Sequence, residues 1–401
     1  MEASKMEKEN HQKLGSMLEL FMTDEEAPGM PFYLPKGMAI RNELERFWRE
    51  EHEISGYEEI RTPLLMKQQI WERSGHWQHY HENMYFAEVD DQRYALKPMN
   101  CPGAIKIFNH KLRSYKELPI RFAELGLVHR HEQSGSLNGL LRVRSFTQDD
   151  AHLFVREDQI EDEIRKVLKM IDIFYKRFGF DYKIELSTRP DEYMGSLESW
   201  NEAEIALKNV LHQSGVPFAL NEGDGAFYGP KIDFHILDNR GRSWQCGTVQ
   251  LDFQMGEVFD CQYVGNDQKM HRPIIIHRAI FGSLERFLGI LVEHYDGAFP
   301  AWLAPVQVKV INVADAHLPY AEHIYDLLKK NGIKAEFDNR SEKMGLKIRE
   351  ATLGKVPYML IIGAQEQSSG NLTVRVRGKQ QQDQLEIDQF IQLVNNAGNW
   401  K

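Results

Sequence analysis

Between Arg130 and His152 the chain reads RHEQSGSLNGLLRVRSFTQDDAH, its densest run of polar and charged side chains. A strand-like piece carries Arg130 and Glu132, a Ser/Gly/Asn-rich loop turns the chain, and a returning strand carries Arg142, Arg144, Phe146, Gln148 and Asp150. Side chains two apart on a strand share a face, so these five are expected to form one surface. It would present guanidinium groups, an aromatic plate, an amide and a carboxylate. Guanidinium forks suit phosphate oxygens, and a phenyl ring can stack on a base. The other reading of such a hairpin is a salt-bridged solvent face; Phe146 among the charges, and the adjacent Asp149, Asp150, Ala151 and His152, weigh against it. A second cluster, IIIHRAIFGSLERFLGILVE, is an apolar strand expected to end at His277 and Arg278 and to enter a helix. That helix should carry Arg286 on its second or third turn. Alone, Arg286 reads as a surface residue; paired with the first cluster it becomes a second phosphate clamp.

The elements that must hold these groups follow from hydrophobic period. Residues 8–22 and Met38–Ile54 have apolar positions at helical spacing, and the second passes through Gly56 into an extended run, Tyr57–Thr62, stopped by Pro63. Strands are expected at Arg93–Leu96, Ile120–Val128, Ser145–Val155, Lys183–Leu186, Lys231–Leu237 and Trp244–Phe253, with helices near Glu157–Phe178 and Ser199–Ser214. Most connections between those strands are too short for a parallel crossover, which favours a largely antiparallel sheet flanked by helices, an α+β architecture. No GxxxxGK[ST] and no GxGxxG after a strand occurs, so neither a P-loop nor a Rossmann nucleotide site is supported. The texture changes at FPAWLAP (Phe299–Pro305). Beyond it strands and helices alternate over about 95 residues, enough for an independent α/β domain. Two domains are expected, 1–300 and 305–401.

The whole chain has 401 residues and a formal charge of −10, which excludes a polycation that binds nucleic acid indiscriminately. From Pro305 onward, however, 13 Lys+Arg face 11 Asp+Glu, so a polyanionic partner is permitted at that end. Three cysteines, Cys101, Cys246 and Cys261, are too few and too odd in number for a disulfide framework. With no apolar run long enough to span a bilayer and no signal-peptide pattern, a cytoplasmic protein without a membrane partner is expected.

Arg130-x-Glu132, the loop, then Arg142, Phe146 and Asp150 resemble motif 2 of the class II aminoacyl-tRNA synthetases. Met38–Pro63 resembles motif 1, and Ile274–Phe287 with Arg286 resembles motif 3. Further stretches, KPMNCPG (97–103), FTQDDAH (146–152), AFYGPKID (226–233), QCGTVQLDF (245–253) and EKMGLKIREA (342–351), narrow the resemblance to the threonyl-tRNA synthetase family, across almost the whole chain.

The resemblance implies a catalytic domain followed by an anticodon-binding domain, substrates ATP with Mg2+ and L-threonine, the partner tRNA-Thr, and a homodimer formed through motif 1. It implies that Arg130 holds the α-phosphate and carboxylate, that Glu132 and Phe146 hold and stack the adenine, and that Arg142 and Arg286 anchor the γ-phosphate end. Gln245 and Thr248 match positions near the ribose. In-line phosphoryl chemistry asks for such positioning and charge neutralisation more than for an acid–base pair. Cys101, His152 and His277 match the ligands of a zinc ion; by spacing alone a packed role for Cys101 is the other reading. Three protein ligands leave a metal position open to substrate, and Gln148, Asp150 and Tyr228 match the threonine pocket. His76, in SGHW, matches a position near the terminal ribose of the tRNA, with packing beside Trp77 as its other reading. In the tail, Glu366 and Arg375 match anticodon-reading positions, while Ser341 stands where the family commonly has Asn.

A metal that reads the hydroxyl sets the expected selectivity. Valine would leave that position unpaired, a penalty of roughly 10⁴-fold or more, whereas serine lacks only a methyl, worth about 10–200-fold. The family often adds an N-terminal editing domain, which would precede residue 1 here, so the chain is expected to be a truncated or short form that charges serine detectably. A catalytically silent, synthetase-like regulatory paralogue is the alternative from a different functional class, and an activator of a carrier other than tRNA is a third. Arg130, Arg286 and the three candidate ligands argue against the silent form, and the KIREA-containing tail against the other carrier.

Overall fold

The computed structural model describes residues 9–398. Residues 1–8 and 399–401, the outermost parts of the two expected domains and of the leading helix, lie outside the described residues. The described chain falls into two compact units, one built from 25–30 and 47–288, the other from residues within 1–24, 31–46 and 289–401.

The first unit is organised on an eight-stranded sheet. In spatial order its strands are Ala219–Asn221, Asp181–Ser187, Lys231–Leu237, Ser243–Asp252, Ile274–Ser283, Ser145–Val155, Ile120–His129 and Glu58–Glu59. The five inner pairings are antiparallel; only the two outermost are parallel. The expected antiparallel architecture is therefore present. Strands Ser145–Val155 and Ile274–Ser283 are buried along most of their length, because both faces are covered. One face packs on helix Ile160–Arg177, which buries Ile164, Val167, Leu168, Ile171, Phe174 and Tyr175 at helical spacing. Phe174 lies against Phe47 and Phe281 at ring distances of 4.7 and 5.1 Å, and Phe178 against Phe287 at 4.9 Å. Each such side chain contributes about 1.5–3 kcal/mol by leaving water. The opposite face carries the site.

A buried polar tie fixes the edge of this sheet. Glu124 accepts from the backbone N–H of Thr62 at 2.8 Å and from Lys97 Nζ at 2.9 Å, while Lys97 also donates to Thr62 Oγ1 at 2.7 Å. Thr62 is thereby pulled off the ladder, and the expected strand Tyr57–Thr62 shortens to Glu58–Glu59. A small three-stranded sheet, Leu65–Lys67, Gln92–Leu96 and Phe86–Val89, follows, of which sequence periodicity marked only the middle strand.

Helix Pro35–Ile54 begins with proline, whose missing N–H has no partner to lose in a first turn. It ends at Gly56 (φ +74°), where Tyr57 N–H returns to the His52 carbonyl and Gly56 N–H to that of Glu53. The leading helix is shorter than the expected 8–22: it spans His11–Met17. Glu19 takes a left-handed conformation (φ 55°) and Leu20 N–H bonds the Gly15 carbonyl. Phe21 then folds back onto Gly15, where a Cβ would lie 2.2 Å from its ring.

The second unit holds a five-stranded sheet in the order Ala335–Asp338, Val308–Asn312, Tyr358–Ile362, Asn371–Val376, Asp383–Glu386. The first three strands are parallel and the last two antiparallel. Val308, Val310, Leu360, Ile362, Leu372, Val374 and Phe390 form its core. Lys347, from KIREA, is buried with its ammonium donating to Asn312 Oδ1 and the Asp338 carbonyl, both at 3.0 Å. No helix among the described residues is long and apolar enough to cross a membrane.

Candidate active site

His152 and His277 face each other across two neighbouring strands, directly paired in register, with ring centroids 4.7 Å apart. Cys101 opens helix Cys101–Phe108, whose first turn accommodates Pro102. The candidate ligand atoms of Cys101, His152 and His277 all lie within 4.8 Å of one another, and all three residues are buried. Burial pushes the Cys101 thiol well above its ordinary range, and it pushes the His152 imidazole well below, leaving a neutral ring with a lone pair. Asp252, fully buried at the end of the adjoining strand, lies 2.7 Å from His277 Nε2. Its other oxygen accepts the N–H groups of Gln254 and Met255. A proton on Nε2 directed at that carboxylate leaves the Nδ1 lone pair for a metal. One thiol and two imidazoles with a carboxylate behind one of them fit zinc.

The cluster forms one end of a cavity of about 580 Å³. Around that end Tyr228 donates to Gln250 at 2.7 Å, and Asp150 accepts from Asn100 Nδ2 at 3.0 Å. Burial raises the Asp150 carboxyl above its usual range, with the Asn100 bond acting against it. Gln148, Asp150, His152 and Tyr228 all line the cavity, Gln148 and Asp150 on the shared face expected from alternation along the strand. His76 is not in the lining. Its ring sits behind it, fully buried, with Nδ1 2.7 Å from Ser74 Oγ and Nε2 3.1 Å from Met99 Sδ and 3.9 Å from Cys101 Sγ. Burial, aided by the Arg130 charge, lowers its pKa to about 4.

The other end is framed by arginines. Arg130 lies 5.1 Å over the Phe146 ring and donates from Nε to the Pro98 carbonyl. Arg142 donates to Glu132 at 2.9 and 3.1 Å, so these two expected contacts with the nucleotide are paired with each other. Gln245 and Thr248 both donate to Asp233 Oδ1, at 2.7 and 3.0 Å; the second oxygen accepts from Ser187 and Lys231. Arg286 lines the cavity with Trp244 at 5.8 Å from its guanidinium carbon, and its Nε is buried without a hydrogen-bond partner.

Three sequence expectations are corrected. The returning strand begins at Ser145, so Arg144 does not share the face of Arg142 and Phe146. Buried, it donates to the Glu132 and Pro28 carbonyls and ties the hairpin together. The strand carrying His277 does not end at Arg278 but runs to Ser283, placing His277 mid-strand. Arg286 is therefore in the first turn of helix Leu284–His294, not the second or third.

Asp233, Asp252, Gln250 and Asn100 are functional neighbours that spacing did not single out. Asp233 and Asp252 were visible as carboxylates beside apolar strand residues, in KIDFHI and VQLDF. Of the tail positions, Ser341 is exposed and Arg375 half-buried on its strand. Glu366 is buried; it accepts from Gly363 N–H and Thr373 Oγ1 and closes the first turn of its own helix.

Residues 85–295 match the family model for the tRNA synthetase class II core domain (G, H, P, S and T), and residues 307–397 match that of the anticodon binding domain. With the antiparallel sheet and the cavity described above, the chain belongs to the class II tRNA synthetase family. It is similar to threonine–tRNA ligases over most of its length. It is 58% identical, over 96% of its length, to the threonine–tRNA ligase of Carboxydothermus hydrogenoformans, and 57% identical, again over 96%, to that of Clostridium tetani. It covers 61% and 60% of those proteins, about three fifths of their length. A crystal structure described as the RNA binding domain of threonyl-tRNA synthetase from Cryptosporidium parvum superposes with a TM-score of 0.95 at 42% identity, covering 97% of this chain and 98% of that one.

Proposed function

We propose that this chain activates L-threonine with ATP to threonyl-adenylate and transfers it to the 3′ end of tRNA-Thr. The observation that carries the reading is one cavity joining a buried Cys–His–His cluster to a wall framed by Arg130 and Arg286. In the first step a carboxylate oxygen of threonine bonds to the α-phosphorus and pyrophosphate leaves with the electron pair of the broken bond. In the second, a ribose hydroxyl of the tRNA takes the acyl group and AMP leaves. Cys101, His152 and His277 would hold zinc, which when bound supplies a Lewis-acidic position for the amino group and hydroxyl of threonine. Asp150, Gln148 and Tyr228 orient the amino acid from the same face. Arg130 and Arg286, both lining the cavity, neutralise phosphate charge as the bond order shifts. Mg2+ accompanies the ATP. Phe146 stacks the base, Glu132 and Arg142 hold its edge and the γ-phosphate end, and Gln245 and Thr248, aligned by Asp233, meet the ribose. His76, buried behind the wall against Met99 and Cys101, is expected to bear on transfer through its packing there and not by touching the terminal ribose.

The two family matches on either side of Phe299–Pro305 support a catalytic part within 1–300 and an anticodon-binding part within 305–401, with Ser341, Glu366 and Arg375 on the tRNA side. Exposed Ile54, Leu64 and Leu65 around motif 1 support a homodimer. Three free cysteines support a reducing cytoplasmic setting. The test is threonine-dependent ATP–pyrophosphate exchange on protein of known metal content, with serine and valine compared. Exchange with threonine, less with serine and almost none with valine, at about one zinc per chain, is expected. No exchange with any of the three by folded, zinc-loaded protein would favour the regulatory paralogue.

A further inference from the structure

Asp149 lies between two residues of the cavity wall, Gln148 and Asp150, yet it is absent from the wall and fully buried on the other face of the sheet. Opposite it the ladder breaks. Pairing runs through Arg278 with Ala151 and Ala279 with Asp150, then resumes only at Ser283 with Gln148. Residues 280–282 are thus looped out of register, and their N–H groups need partners elsewhere. One carboxylate supplies all three. Asp149 Oδ2 accepts from Ile280 at 2.9 Å and Phe281 at 3.0 Å, and Oδ1 from Gly282 at 2.9 Å. On the carbonyl side, Tyr175 Oη donates to Ile280 at 2.8 Å.

The bulge leads straight into the nucleotide end. Gly282 has φ +79°, and a Cβ there would lie 2.8 Å from the Cys246 carbonyl oxygen. Ser283 follows and caps the turn, its Oγ accepting from Arg286 N–H at 3.1 Å. Gly282, Ser283 and Arg286 all face the cavity, whereas the zinc-ligand candidate His277 precedes the bulge on the regular part of the strand. The depth and direction of Arg286 therefore depend on how the 280–282 segment is folded. The position of His277 depends instead on the ladder with His152.

We infer that Asp149 is a positioning residue for the nucleotide: its buried carboxylate folds the 280–282 bulge that delivers Gly282, Ser283 and Arg286 to the ATP end of the cavity. The inference rests on the adenylate-forming reading for its kinetic form, but the geometry separates the two ends of the site. An amide at position 149 keeps the shape, offers one acceptor oxygen and turns an NH2 toward N–H donors, so at least one of the three bonds is lost.

The experiment compares wild type, Asp149→Asn and Gly282→Ala in threonine-dependent exchange, with zinc content measured on each. Both variants are expected to raise KM for ATP about tenfold or more, with KM for threonine and zinc per chain within twofold of wild type. The Gly282→Ala variant attacks the same bulge from its other side, so it decides the matter if Asp149→Asn does not fold. Calorimetric binding of a non-hydrolysable ATP analogue is measured alongside. If wild type shows no exchange yet the variants lose analogue binding, the functional reading fails and the positioning role stands. An unchanged KM for ATP, or ATP and threonine constants moving together, overturns the positioning role.

Discussion

Asp252 Oδ2 and His277 Nε2 lie 2.7 Å apart on adjacent strands, so the ring that faces His152 and Cys101 is oriented by a residue outside the ligand set. Partners of this kind fix tautomer and ring angle, and their loss typically lowers metal affinity 10–100-fold. Asp252→Asn should therefore weaken zinc retention by about that factor. Competition with a graded chelator measures it; retention equal to wild type would show that Asp252 only anchors the Gln254 and Met255 backbone.

Arg286 should act only at the nucleotide end. Arg286→Ala is expected to lower exchange by at least about 10²-fold, the scale of losing a charge-stabilising donor. Zinc content and the circular dichroism spectrum should be preserved, because no described hydrogen bond of the fold is made by its guanidinium. Exchange near the wild-type rate would remove Arg286 from the site.

The Lys97–Glu124 pair is buried, with both side chains almost inaccessible to solvent. Removing one partner strands the other charge, which costs about 3–5 kcal/mol, whereas replacing both by apolar residues of similar volume is often neutral. Glu124→Leu should therefore lower the denaturation midpoint strongly, and Lys97→Met with Glu124→Leu should recover much of the loss. A double variant as unstable as the sum of the singles would argue against an isolated pair.

Glu163 should contribute to acid sensitivity. Burial pushes its carboxyl up, but bonds from Arg121 and Lys166 outweigh that and hold it below the usual glutamate range. A carboxyl lowered on folding adds stability that is fully present above its unfolded pKa and is lost as pH falls through the folded value. Compared with wild type, Glu163→Gln should be less stable by about 1–3 kcal/mol at pH 7. The difference should shrink on titration below pH ~4. A gap independent of pH would assign the effect to packing.

Much of the scaffold was legible along the chain. Strands Ser145–Val155 and Lys231–Leu237 have the very bounds their alternation suggests, because the two-residue period of a strand is a local property. The same period told correctly that Phe146, Gln148 and Asp150 share a wall. It failed at Arg144, just before the strand begins, where the backbone bonds to Arg130 and Gly29 and the side chain turns back to the Glu132 carbonyl.

What only the tertiary structure decided is which strands become neighbours and where their pairing slips. Cys101, His152 and His277 are 51 and 125 residues apart, and nothing in that spacing brings three ligand atoms within 4.8 Å. The direct register of His152 with His277 does so, together with the start of the Cys101 helix over the same face. The bulge at 280–282 and the depth of Arg286 likewise depend on Asp149, 131 residues before Ile280. Residue types and local period determined the chemistry available and the faces that carry it. Long-range burial and hydrogen-bond satisfaction determined the geometry, because a ladder's partner and register are set by contacts that no window of sequence contains.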